Sequence, residues 1–353
     1  MKLQFENRDG PVVVTGGAGF IGTNLCITLL EAGHEVIIYD NLSRAGSEKN
    51  MQYLKNCYGR RVRVVVADIR DSSSLLSALE GASMVFHFAA QVAVTTSLHA
   101  PLEDFAVNLS GTINLLEIIR RLPKKPLLFY TSTNKVYGQL CDITLKKSGV
   151  RYVPRDPLYT GGVSESRNLD FHTPYGCSKG GADQYVLDCC RSFGLEAVVF
   201  RMSCIYGQHQ FGNEDQGWVA HFAIQAMKKA PVTIYGSGYQ VRDILFVDDL
   251  MRAFSLAAEN IRSISGCAFN IGGGIDNTVS LLELTQMLGE INNSEPEIRF
   301  EKERCGDQKY YVSDTSRFFN ATGWSPLVSP REGLGRLLRW LELRRAGKKY
   351  TVV

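Results

Sequence analysis

Apolar residues in the first two hundred positions gather in short dense runs. Each run is followed by a segment whose apolar positions return every three or four residues. Residues 11–15, PVVVT, form the first run, β-branched and unbroken, as a strand covered on both faces should be. HEVIIYD, RVRVVVADI, ASMVFHFAA, PLLFYTST and LEAVVFRM repeat the theme. TNLCITLLEAG, DSSSLLSALE, PLEDFAVNLSGTINLLEIIRRL and HTPYGCSKGGADQYVLDCCRSFG lie between them with helical spacing. This alternation predicts an α/β fold with a doubly wound parallel sheet of the Rossmann type. Beyond residue 200 come a polar loop, QHQFGNEDQGW, the strand-like CAFNIGGG and the amphipathic SLLELTQMLGEI; Val279, just before the last, and the apolar positions after it suggest packing. A helix in GWSPLVSPREGLGRLLRWLELRRAG closes the chain, with Trp324 and Trp340 as core or interface anchors. No internal repeat or low-complexity linker interrupts this pattern.

The first strand runs straight into GGAGFIG and then into a helix, which puts Gly16, Gly19 and Gly22 on a strand-to-helix turn. Glycine there permits a tight turn and lets backbone N–H groups approach a pyrophosphate at the helix N-terminus. The next strand ends at Asp40, placed to accept hydrogen bonds from a ribose diol and to repel a 2′-phosphate. That favours NAD over NADP, although Arg44 nearby is able to pair with such a phosphate. Asp68 ends another strand and reaches toward the adenine side, while its neighbour Asp71 reads equally well as a helix N-cap. His87, inside an apolar strand, reads as a packed core histidine.

Thr133 falls just beyond the C-terminal end of PLLFYTST, the edge at which open α/β sheets bind ligands. Downstream, Thr173 and Pro174 open a helix that places Tyr175 and Lys179 four apart, on one face. A free tyrosine with a pKa near 10 is a poor base. An ammonium one turn away, together with a nicotinamide charge, is expected to lower that pKa. Thr133 can then hold a substrate hydroxyl while Tyr175 removes its proton. Taken alone, a Tyr-x-x-x-Lys pair is often a coincidence of a helix surface. A dinucleotide fold and a strand-end hydroxyl make it a catalytic set.

Composition narrows the classes. The chain has 353 residues, 44% of them hydrophobic and 21% charged, with a formal net charge of +3. That charge is too small to argue for nucleic acid or a membrane surface, and no segment has the length and apolarity of a membrane span. The N-terminus, MKLQFENRDG, is polar and carries no secretory core. Nine cysteines lie scattered without metal-ligand spacing, which suits reduced thiols in a cytoplasm and no metal. Cys177 reads as a packing residue, and the adjacent Cys189 and Cys190 as core. The basic run Arg344, Arg345, Lys348 and Lys349 reads as a solvated tail.

GGAGFIG, the VYG after the fifth strand and YGCSK together resemble the extended short-chain dehydrogenase/reductase family. The resemblance to its sugar-nucleotide epimerase branch runs from about Pro11 to Leu341. STNKVYG, QVAVTTS, HTPYGCSKG, DQGW and GSGYQVRD resemble, more narrowly, the 2-epimerases of CDP-linked paratose and tyvelose, enzymes that supply polysaccharide assembly. The resemblance implies Thr133, Tyr175 and Lys179 as the catalytic set. It implies a tightly bound NAD, regenerated at each turnover and held by Gly16, Gly19, Phe20, Ile21, Gly22, Asp40, Asn41, Ser43, Arg44, Asp68, Ile69, Ala89, Gln91 and Asn108 beside Tyr175 and Lys179. For the nucleotide sugar it implies Thr95, Thr96, Asn134, Ser203, Gln208, Gln210, Gln216 and Trp218. Arg242 and Arg304, with Asp307, match the positions that clamp the diphosphate and ribose. Gln208, Gln210, Gln216 and Trp218 also read as plain loop or packing residues, and Arg242 as the partner of Asp243. The division that follows is a tail over 1–10, an NAD-binding domain over 11–200 and a substrate lobe mainly over 201–345, with a strand and helices returning to the first domain. A homodimer or homotetramer paired through helices 101–122 and 172–194 is the implied assembly.

Dehydratases of this family place an Asp-Glu pair after the catalytic threonine. Here Asn134 and Lys135 stand there, which disfavours dehydration and leaves oxidation and reduction. Inversion at C2 and inversion at C4 would use the same three residues. A non-catalytic NAD sensor is the reading from another class, and the intact Thr133, Tyr175 and Lys179 argue against it.

Overall fold

The computed structural model describes Phe5 and residues 9–346. Seven parallel strands form the central sheet: β1 (Val12–Thr15), β2 (Val36–Asp40), β3 (Val62–Val66), β4 (Met84–His87), β5 (Leu127–Thr133), β6 (Ala197–Met202) and β7 (Cys267–Ile271). Their spatial order is β7-β6-β5-β4-β1-β2-β3. In β1, Val12 pairs with Val36 on one side and Met84 on the other. Both neighbours of β1 therefore leave their C-terminal ends on the same edge, where the crossovers diverge and a crevice opens.

Unbroken apolar strands are needed because helices cover both faces. Val12, Val14, Ile38, Phe86, Phe129 and Phe200 pack on one side with Leu25, Leu29, Phe254 and Trp324. Val13, Ile37, Val85, Leu128 and Tyr130 pack on the other with Leu115, Ala182 and Val186. Phe5 joins the first of these clusters, edge-on to His34 and Phe86 with ring centroids 6.2 Å apart in each case.

The second lobe is interleaved with the first. Strand Val241–Phe246 lies beside Cys204–Tyr206, Thr278–Ser280 and Tyr310–Tyr311. Helices Trp218–Lys228, Leu281–Asn292 and Pro330–Arg345 close a core around Tyr206, Phe222, Phe246, Leu284 and Trp340. Helix Val247–Glu259 and helix Ser316–Thr322 instead return beneath the central sheet. Trp324 and Trp340 are both core residues.

Two local features differ from the sequence pattern. The segment read as one helix over 101–122 contains a π-helical turn, Ala106–Ser110, between Pro101–Phe105 and Gly111–Arg121. Such turns redirect a side chain that regular spacing would misplace, and here Asn108 is buried within it. Cys177 is exposed, so the packing expectation fails: its position on the first turn faces outward, while Gly176, Ser178 and Lys179 face in. Among the described residues all nine cysteines are free, no metal-binding cluster occurs and no helix is long and apolar enough to cross a membrane. Arg344 lays its guanidinium 4.1 Å from the Phe211 ring centroid, whereas Lys348 and Lys349 of the basic run lie outside the described residues.

Candidate active site

A cleft of ≈ 520 Å³ follows the C-terminal edge of the sheet. Gly16, Gly19, Phe20, Ile21 and Gly22 line it from the first turn, where Gly19 N–H donates to Gly16 O at 3.0 Å. Only glycine fits this turn. A Cβ on Gly16, whose φ is +69°, would lie 2.7 Å from the backbone nitrogen of Ala89, and one on Gly22 would lie 2.3 Å from Gly16 O. The bare backbone can thus meet a pyrophosphate in front of helix Phe20–Glu31.

Asp40 lines the same cleft. Its carboxylate accepts from the N–H of Ala18 at 3.0 Å and of Leu42 at 2.8 Å, and burial raises its pKa. Asn41, Ser43, Arg44, Asp68, Ile69, Ala89 and Gln91 also face the cleft. Asp68 accepts from Arg70 at 2.7 and 2.9 Å and from Asn41 at 3.0 Å, and the Arg70 bonds hold its carboxyl well below the usual range. Asp71 caps the following helix through the N–H groups of Ser73 and Ser74. Asn108 does not line the cleft. It holds the cleft wall in place, accepting from Gln91 N–H at 2.9 Å and donating to Gln91 O at 2.8 Å.

Thr133 ends β5, and its Oγ1 accepts from Lys135 N–H at 3.2 Å. The Thr133 hydroxyl donates to Asn134 Oδ1 at 3.4 Å and is near enough to Tyr175 to oppose the rise in its pKa. Tyr175 and Lys179 both face the cleft from the first two turns of helix Thr173–Phe193. Thr173 enters that helix at φ +63°, a costly backbone for a β-branched residue. The Lys179 ammonium lies 4.3 Å from the centre of the Tyr130 ring. Beneath it His87 is buried between Thr15 at 2.6 Å and Thr112 at 3.1 Å, as a core histidine. Burial pushes the Lys179 pKa down to about 7, against the opposing pull of Asp183 and Asp104.

The phenol differs from expectation. Tyr175 is pushed up to about 12, chiefly by burial, with the Thr133 hydroxyl and Arg44 opposing and Asp104 adding to it. The protein alone does not make it a ready base, because desolvation of the phenolate outweighs the neighbouring cations.

The residues expected to meet a sugar nucleotide divide into two groups. Asn134 donates to Gln308 Oε1 at 3.1 Å. Arg242 donates to Asp307 Oδ1 at 2.7 Å and to Gln308 O, and is not paired with Asp243. The Asp243 carboxylate is held instead by Ser203 and by Gly274 N–H at 3.2 Å. Thr95 Oγ1 is buried without a hydrogen-bond partner, whereas Thr96 is exposed. The other group departs from the expected lining. Gln208 is buried and donates to Asp248 at 2.8 Å, and Gln210 is buried and donates to Ile205 O at 3.3 Å, so both stitch the loop to its support. Gln216 meets Arg44 in the dinucleotide cleft. Trp218 packs in the second core, with Nε1 3.3 Å from Cys204 Sγ. Arg304 turns to Glu214 O at 2.7 Å and stacks 3.8 Å from the Tyr235 ring centre.

Sequence reasoning missed Arg70 and Ser132, both in the cleft wall, and Ser132 Oγ is buried with no hydrogen-bond partner. Arg70 had a legible signal, a cation two residues after Asp68. Gln308 had none, since its contacts with Asn134 and Gly138 span more than a third of the chain.

A profile of the NAD dependent epimerase/dehydratase family matches residues 12–272. The chain belongs to that family. Its cofactor is NAD, which the glycine turn, Asp40 and the unpartnered Ser132 hydroxyl fit, and its class of reaction is isomerisation by epimerisation. The chain is 41% identical over 336 residues to CDP-paratose 2-epimerase of Salmonella typhi, covering 93% of this chain and 98% of that protein. Among solved structures it resembles UDP-glucose 4-epimerase of Thermotoga maritima with UDP-glucose (TM-score 0.81, 29% identity, 95% of this chain and 99% of the other). UDP-glucuronic acid 4-epimerase of Bacillus cereus, in complex with UDP-glucuronic acid and NAD, is as similar (TM-score 0.81, 28% identity, 95% and 99%).

Proposed function

We propose that the protein inverts C2 of a CDP-linked 3,6-dideoxyhexose, interconverting CDP-paratose and CDP-tyvelose. One observation carries this reading. Identity to the CDP-paratose 2-epimerase is 41%, while identity to structurally similar 4-epimerases is 28–30%. Asn134 and Lys135 after Thr133 support epimerisation over dehydration, because an amide and an ammonium leave no carboxylic acid to expel a hydroxyl.

The C2 hydrogen of such a sugar has no adjacent carbonyl and is not acidic, so direct deprotonation is too slow. NAD held by Gly16, Gly19, Gly22 and Asp40 would supply the hydride acceptor and donor for the carbinol carbon. Thr133 would hold the C2 hydroxyl beside Tyr175, whose phenolate, favoured once a nicotinamide charge stands beside it, would take the hydroxyl proton and return it to the same oxygen after C2 has been inverted. Lys179 steadies the phenolate, the form Tyr175 must hold before that proton arrives. Residues 11–200, with Gln216, would hold the cofactor, and residues 201–345 supply Arg242 for the diphosphate with Asp307 orienting it, while β7 and the returning helices belong to the sheet body.

The test is product analysis by NMR after incubation with CDP-paratose and, separately, with a UDP-hexose. CDP-tyvelose from the first and no turnover of the second is expected. The opposite pattern would replace C2 inversion by C4 inversion.

A further inference from the structure

Lys135, two residues beyond Thr133, reaches across the site. Its Nζ donates to Gly306 O at 3.0 Å and lies 4.0 Å from Asp307 Oδ1. The same oxygen accepts from Arg242 at 2.7 Å and from Gln308 N–H at 3.0 Å. One carboxylate thus answers two cations whose side chains are 20% and 9% exposed, and one positive charge is left over. Of the three N–H bonds of the ammonium, only that to Gly306 O has a hydrogen-bond acceptor among the described residues.

The cation and its seat lie against the first turn of the Tyr175 helix. A Cβ built on Gly176 would lie 3.4 Å from Lys135 O and 4.0 Å from Lys135 Cβ, which puts the stem of Lys135 against the first turn of the Tyr175 helix. A Cβ on Gly306 would lie 2.7 Å from Thr173 Cγ2, so the segment carrying Asp307 abuts the same turn. Asn134 and Gln308 then tie that segment to β5, through 3.1 Å between their side chains and 2.6 Å from Gln308 Nε2 to Gly138 O. The seat is built before any ligand arrives.

We infer that Lys135 is a substrate-binding residue which, with Arg242, holds the phosphate on the anomeric carbon of the sugar. The inference deepens the C2 reading and rests on it in one respect. When C2 reacts, the anomeric carbon is bonded directly to the reacting centre, so its phosphate must lie close to Thr133 and Tyr175. When C4 reacts, the whole ring stands between. A spare cation two residues from Thr133 meets the first geometry. Burial, and next Arg242, pushes the Lys135 ammonium down to about 8, and the negative charge of an arriving diphosphate favours its protonated form.

The test measures binding of CDP and of CMP by calorimetry to the NAD-loaded enzyme, to Lys135→Met and to Lys135→Arg. UDP and UMP serve as the same pair if uridine is the base that binds. Lys135→Met should weaken the diphosphate roughly 10-fold or more, the worth of one charge-assisted hydrogen bond, and leave the monophosphate unchanged. Lys135→Arg should recover most of the loss. Equal loss of both nucleotides, or no loss of either, overturns the assignment. Released NAD is assayed in each variant, and Lys135→Gln replaces Lys135→Met if the latter does not retain it. Failure of the C2 reading shows separately, as wild-type binding of CDP with no turnover of CDP-paratose.

Discussion

Tyr175 and Lys179 stand one helical turn apart, and burial inverts the usual order of their affinities for a proton: the phenol rises to about 12 and the ammonium falls to about 7. Within the protein alone the proton rests on the tyrosine, so a Tyr175→Phe variant removes the group that exchanges it. Turnover should fall by about 10²- to 10⁴-fold while NAD stays bound, as read by sugar product and by released nucleotide. A second residue-scale prediction concerns acid. His209 is buried beside Asn50 and between the Tyr53 and Trp340 rings, and burial, with Arg344 second, lowers its pKa to about 4. The unfolded histidine takes a proton near 6.5 and the folded one refuses it. Its contribution is therefore complete above pH 6.5 and is lost as pH falls toward 4. His209→Gln should make the slope of unfolding free energy against pH shallower in that window by about 1.4 kcal/mol per pH unit, as measured by urea unfolding.

At the scale of elements, the glycine turn and the tyrosine helix each do one job set by local sequence. Gly22→Ala would force a Cβ to within 2.3 Å of Gly16 O. The variant should be recovered without nucleotide, with circular dichroism close to the wild type, and retention of full NAD content would contradict the account of the turn. These two elements were legible because their signals are local: a strand abutting GGAGFIG, and a Tyr-Lys spacing matched to one helical turn. The parallel sheet was legible for the same reason, since unbroken apolar strands alternate with amphipathic helices. Less was legible where function depends on contacts far apart in sequence. Gln208 and Gln210 looked like pocket residues in a polar loop, yet burial turns them into supports of that loop. Asn108 was expected at the cofactor, but the π turn points it at the Gln91 backbone. Lys135 carried no visible role until Gly306 and Asp307 were brought to it from 171 and 172 positions away.

Across the whole molecule, several large apolar side chains stay exposed: Leu98 on helix Val94–His99, Leu102 and Phe105 on Pro101–Phe105, and Tyr185 on Thr173–Phe193. The first two helices both pack against the third. Pairing of two chains through this surface would bury that patch in a symmetric interface. Light scattering should find a dimer or larger assembly, and Leu102→Glu should shift it to the monomer with the fold intact. The central claim is that one chain removes a hydride and returns it to the same carbon of the same sugar. It is tested most directly with CDP-paratose carrying deuterium at C2, turned over in ordinary water. The account predicts CDP-tyvelose that keeps its deuterium at C2, and product whose label has washed out into solvent would contradict it.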